Sequence, residues 1–177
     1  MVNGQMSKVK CSQSGFTLLE IIIYFAVVSL VLLLTSSFIF YFMRADYQTQ
    51  GNREVLDNAR RALEIISFEV NGATGIYTPT TAATQLSLET PRYLPQGETT
   101  TYIDFFVCGT RLCLKKESQS PIFLTSDTVQ VNSIAFTQIS INGAMSIRTN
   151  LALQYKNTLG ALQPAVTLYS TASLRKY

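Results

Sequence analysis

From Ile21 to Met43 the chain runs for 23 residues without a charge, IIIYFAVVSLVLLLTSSFIFYFM, and Ser29, Thr35, Ser36 and Ser37 are the polar interruptions. As a helix this run would be about 34 Å long, enough for a bilayer core of about 30 Å. A cleavable secretory signal has a shorter apolar core, about 7 to 15 residues, followed by small residues at the cut site. Here the run ends in Phe42-Met43-Arg44. The segment therefore reads as a membrane helix. Its flanks leave the orientation open, because Lys8 and Lys10 precede it while Arg44, Arg53, Arg60 and Arg61 follow it.

The remaining composition narrows the function. The chain has 177 residues, 47% apolar and 14% charged, with a net charge of +3 and no histidine. Lacking histidine, it has neither the commonest general base nor the commonest zinc ligand. The acids Glu89, Glu98, Asp104, Glu117 and Asp127 are isolated in sequence, and neither a GxSxG nor a phosphate-loop pattern occurs. No D-x-D-x-D-like cluster suggests calcium. We expect no catalysis, no metal and no cofactor. No run of like charge points to nucleic acid as a ligand.

Beyond the apolar run, residues 44–70 keep a helical rhythm. Val55, Leu56, Ala59, Ala62, Leu63, Ile66 and Val70 recur at three- and four-residue spacing, and charges including Arg53, Asp57, Glu64 and Glu69 take most other positions. No proline occurs between Phe16 and Val70, so both segments can form one helix of about 80 Å, with Gly51-Asn52 as its weakest point. Residues 71–84, with Gly72, Gly75 and Pro79, read as helix stop and loop.

From Gln85 the period changes to two, as in Ile103, Phe105 and Val107 against Tyr102, Asp104 and Phe106. Similar alternation recurs at 129–131, 134–136, 139–141, 151–155 and 166–169, and Asn142-Gly143 is a hairpin signal. The expected fold is α+β: a long N-terminal helix packed on an antiparallel sheet of about five to seven short strands. Pro91 to Pro95 and the loop near Glu117 to Pro121 could form a binding edge, but such stretches are mostly plain connections.

The most specific feature is the junction Ser14-Gly15-Phe16-Thr17-Leu18-Leu19-Glu20, set between the basic leader and the apolar helix. Here the sequence resembles the type IV pilin superfamily, which includes the pseudopilins of type II secretion. The resemblance implies cleavage by a prepilin peptidase between Gly15 and Phe16, N-methylation of Phe16, and a role in subunit assembly for Glu20, paired with the Phe16 amine of a neighbour. It also implies a leader at 1–15, a membrane or filament-core helix at 16–43, an amphipathic continuation at 44–70 and an exported domain at 71–177. Where many members carry a helix-breaking Gly or Pro in the apolar helix, this chain has Ser29 and Ser36-Ser37.

The partners implied are other major and minor pilins or pseudopilins, an inner-membrane assembly platform, and the lipid bilayer before assembly. The location implied is the cytoplasmic membrane, with the C-terminal domain outside the cytoplasm, and then the filament. The sheet domain, larger than the helix requires, is similar to J-type minor pseudopilins and W-type minor pilins. Glycine suits the cut because it leaves the backbone open to a protease. Glu20 suits the first turn, where the helix dipole favours a carboxylate.

Two other classes fit parts of the pattern. A bitopic signal-anchor protein with an exported binding domain would keep its leader. A competence pilin for DNA uptake would need a basic stripe, and Lys115-Lys116 with Arg175-Lys176 are too few to make one.

Cleavage would remove Cys11 and leave Cys108 and Cys113. A C-x4-C pair without histidine is a poor zinc site. If Thr110-Arg111 form the turn of a hairpin, the two cysteines face each other at disulfide distance. The alternative is a pair of buried thiols.

Overall fold

The computed structural model describes residues 15, 17–78, 81–141, 144–156 and 163–174. The chain divides into two compact units, Met1–Arg44 and Ala45–Tyr177. One helix, α1 (Leu18–Gly72), belongs to both, and no break occurs at Gly51-Asn52.

In the first unit, almost every side chain of α1 is exposed, and the most apolar window has no residue buried within the chain. This is a helix long and apolar enough to cross a membrane. Three of its hydroxyls bond back to the helix itself. Ser29 Oγ donates to the Ala26 carbonyl (3.0 Å), Thr35 Oγ1 to that of Val31 (3.0 Å) and Ser36 Oγ to that of Leu32 (2.8 Å). These polar groups therefore need no partner from the surroundings, which lowers the cost of placing them in hydrocarbon.

The second unit is built on the other half of α1. Val55, Ala59, Ala62, Leu63, Ile66 and Val70 are buried along one stripe, as three- and four-residue spacing requires. Gly51 is also buried. A Cβ there would stand 3.1 Å from Pro164 Cγ and 3.5 Å from the Tyr155 ring, so glycine is needed for close approach. The helix ends at Gly72.

Among the described residues eight strands follow, β1 (Gly75–Ile76), β2 (Leu86–Thr90), β3 (Thr101–Cys108), β4 (Arg111–Lys116), β5 (Ile122–Phe123), β6 (Val129–Ile141), β7 (Ala144–Tyr155) and β8 (Ala165–Ser173). They form two antiparallel sheets rather than one, a five-stranded sheet in the order β1-β2-β3-β4-β5 and a three-stranded sheet in the order β6-β7-β8. Alternation places Leu86, Leu88, Ile103, Phe105, Leu112 and Leu114 on the inner face of the first sheet. Ile134, Phe136, Ile147, Leu151 and Leu153 occupy that of the second, and all join the helix stripe in one core.

The second sheet corrects the expectation of short strands. The alternations at 129–131, 134–136 and 139–141 belong to one 13-residue strand, whose register shifts between Val131 and Ser133. That bulge interrupts the twofold pattern in sequence without ending the strand. β6 and β7 pair as far as Ile141 opposite Ala144, which makes the expected hairpin, although Asn142 and Gly143 lie outside the described residues. The sheets are tied where the Val131 amide donates to the Thr110 carbonyl and the Phe136 amide to that of Ala83, both at 2.8 Å.

Candidate functional site

Helix α1 begins on a side-chain cap. The Glu20 amide donates to Thr17 Oγ1 (3.3 Å) and to the Thr17 carbonyl (3.1 Å), and the Ile21 amide also reaches that carbonyl (3.3 Å). Thr17 is thus the N-cap and Glu20 lies three residues on, in the first turn. The pattern T-x-x-E is the sequence signature of a capping box. With the dipole it gives Glu20 a stabilising position close to the helix start.

Gly15 is exposed, and a Cβ built on it meets no described atom within 4 Å. Phe16, the expected methylation site, lies outside the described residues, as do Lys8, Lys10 and Cys11.

A family model for the prokaryotic N-terminal methylation motif matches residues 10–36. The chain carries a type IV pilin-like leader. This leader implies processing by a prepilin peptidase, and it runs directly into the apolar half of α1. Neither the curated proteins nor the solved structures provide a match to the chain.

The cysteines sit in the other unit. The β3–β4 turn is Gly109-Thr110, not Thr110-Arg111, so Cys108 pairs in register with Arg111 and Cys113 with Phe106. Gly109 decides this, because its φ of 67° is the left-handed conformation that glycine adopts without penalty. The cysteines are then diagonal rather than opposite. Even so their sulfurs are at disulfide distance and their Cα atoms are 5.9 Å apart. Cys113 is buried, Cys108 half-buried. The next strand is held by Arg111, whose guanidinium lies 3.7 Å over the Phe123 ring while its Nε donates to the Thr125 carbonyl (3.0 Å).

A third cluster was not foreseen from sequence. Glu69, expected on the polar face of the helix, is only 4% exposed. Tyr93 Oη donates to Glu69 Oε1 (3.1 Å), and Arg92 Nη1 stands 3.8 Å from Oε2. Arg92 also covers the Phe68 ring at 4.7 Å, and Lys116 Nζ lies 3.5 Å over the Tyr93 ring. A Cβ on Gly72 would collide with the Arg92 guanidinium, so the helix end makes room for it. The segment from Pro91 to Pro95 is therefore more than a connection: it closes over the buried acid. Its available signal was an arginine and a tyrosine between two prolines, which does not name the partner.

On the outer face of the first sheet, the Tyr102 ring packs at a tilt of 54° against that of Tyr77, with centroids 4.7 Å apart. Its pKa is raised from the ordinary 10.0, first by burial and then by Glu89, Tyr77 and Glu117. It stays neutral at physiological pH. Among the described residues no group of three or more Cys, Asp or Glu side chains is placed to hold a metal ion.

Proposed function

We propose that this chain is a minor pilin or pseudopilin, a structural subunit stored in the cytoplasmic membrane by α1 and drawn into a type IV pilus or type II secretion pseudopilus after its leader is removed. The observation that carries the reading is the methylation-motif match at residues 10–36, which takes in the capped start of the apolar helix and the acid in its first turn. In this reading Gly15 is the residue before the cut, Phe16 the N-methylated terminus and Glu20 the counter-charge to a neighbour's Phe16 amine. The sheet unit contributes to the filament surface or tip, and nothing is turned over by the protein itself.

Processing should remove the residues up to Gly15 and leave a mature chain beginning with N-methyl-phenylalanine at Phe16. Intact mass and N-terminal peptide spectra of membrane-purified protein check this. A retained leader in cells with active prepilin peptidase would overturn the reading in favour of a signal anchor. Gly15→Asp should block the cut by crowding and charging the site while leaving the helix start unchanged, since no described atom lies near that position.

A further inference from the structure

The three strands of the second sheet, β6, β7 and β8, contain one charged residue, Arg148. Their inner side chains join the core with α1, so every second residue turns to the opposite face, where Thr137, Arg148, Thr167, Tyr169 and Thr171 are exposed. Hydroxyls, amides and small side chains supply most of the rest of that face. An ordinary protein surface is about 25 to 35% charged residues. A face with a single cation is therefore selective about what it can hold.

The strand register sets four of these side chains together. Asn150 opposes Tyr169 and Arg148 opposes Thr171, so Arg148 and Tyr169 stand on a diagonal with Asn150 and Thr171 at the other corners. Opposite Cβ atoms in such a ladder are about 4.5 to 5.5 Å apart and diagonal neighbours about 7 to 8 Å. The patch is about as wide as one sugar ring with its substituents. Tyr169 is 68% exposed. Arg148 has no ion-pair partner among the described residues. Asn150 Oδ1 is shut off from solvent and has no hydrogen-bond partner among them, a costly state for an acceptor that a donor brought by a ligand would end.

An exposed aromatic ring, an unpaired guanidinium and groups that both donate and accept match a sugar that carries a carboxylate. The C–H face of such a ring packs on the negative face of an aromatic side chain, its hydroxyls pair with amides and hydroxyls, and its carboxylate takes two parallel N–H···O bonds from arginine. We propose that the outward face of the second sheet is a binding surface for an acidic polysaccharide, with one uronate-like residue stacked on Tyr169, its carboxylate on Arg148 and its hydroxyls on Asn150, Thr167 and Thr171. Other partners fit less well. Nucleic acid needs several cations along its phosphates, a protein interface needs an apolar and aromatic core, and an anionic lipid surface needs a cluster of Lys and Arg. The inference uses only the second sheet and depends neither on the leader nor on polymerisation.

The full chain in uncharged detergent tests it against immobilised polygalacturonate, alginate and hyaluronate, which differ in sugar and linkage but all carry carboxylates. At least one should retain the protein at physiological salt, and methyl-esterified polygalacturonate or neutral dextran should retain it at least tenfold more weakly. On the polymer that binds, Tyr169→Ala and Arg148→Gln should each weaken binding at least fivefold without lowering the melting temperature, and Arg148→Lys should recover part of the loss. Arg53→Gln removes an exposed cation from α1 instead and should change nothing. Failure of all three polymers would overturn the proposal. So would an equal loss with Arg53→Gln, which would make the attraction one of net charge, or binding unchanged by Tyr169→Ala. Tighter retention of a single-stranded oligonucleotide through the same two residues would replace the polysaccharide with nucleic acid.

Discussion

A carboxylate as deeply buried as Glu69 is tolerable only because of what surrounds it. Tyr93 Oη satisfies one oxygen at 3.1 Å, and Arg92 at 3.8 Å supplies charge to the other without a hydrogen bond. Arg92→Met keeps the apolar stem over Phe68 but leaves the acid without its cation. It should destabilise the fold by about 1 to 2 kcal/mol in thermal or denaturant melts, below the roughly 3 to 5 kcal/mol of a fully buried pair because Arg92 is 39% exposed. In a Glu69→Gln background the same change should cost much less, and that difference measures the pairing. Gly51→Val should also destabilise, by about 1 to 3 kcal/mol, since its side chain would enter the contact with Pro164 and Tyr155. Both positions mark the limit of reading residues from a pattern. Helical spacing located Val55, Ala59 and Ile66 in the core because apolar residues have one destination, whereas a charged or missing side chain has its place decided by partners distant in sequence.

The β3–β4 hairpin shows the same division among elements. Alternation in TYIDFFVC and RLCLKK reveals two strands, and C-x4-C reveals a turn between them, but the register follows from Gly109 taking the left-handed conformation. A turn one residue earlier moves the cysteines from opposite to diagonal while keeping them 5.9 Å apart. Protein unfolded without reductant should therefore show no reactive thiol at either position. Reduction should lower the melting temperature by about 5 to 10 °C, the effect of losing roughly 2 kcal/mol of loop-closure constraint, and should not unfold the domain. Free thiols at Cys108 and Cys113 in exported material would refute the bridge. The split into two sheets was not legible, because a strand's alternation states which face is buried and not which neighbour it pairs with. The bulge between Val131 and Ser133 further disguised one long strand as several short ones.

For the whole molecule, the architecture of a long helix followed by antiparallel sheet was legible because the period changes once, near Gln85, and because an uncharged run of this length has few destinations. The proposed function rests at this scale on Glu20, whose two alternative roles predict different outcomes. Glu20 lies within the first turn of α1, where the capped helix start already favours an acid. If that local effect were its whole purpose, Glu20→Gln would preserve most of it, since glutamine also serves in a capping box, and Glu20→Val would weaken only the helix start. If the carboxylate pairs with the Phe16 amine of a neighbouring subunit, Gln and Val should fail alike. Either variant should insert and be cleaved, with insertion eased by the loss of a charge that costs on the order of 2.5 to 3.5 kcal/mol at bilayer depth on insertion scales. Incorporation should then fall at least tenfold for both, because the amine would be left without its counter-charge in apolar surroundings. Glu20→Asp should recover part of the loss, its shorter side chain reaching the amine less well. Quantifying the subunit against a major pilin in sheared filaments separates these outcomes, and wild-type incorporation of Glu20→Gln would reduce Glu20 to a helix-start residue.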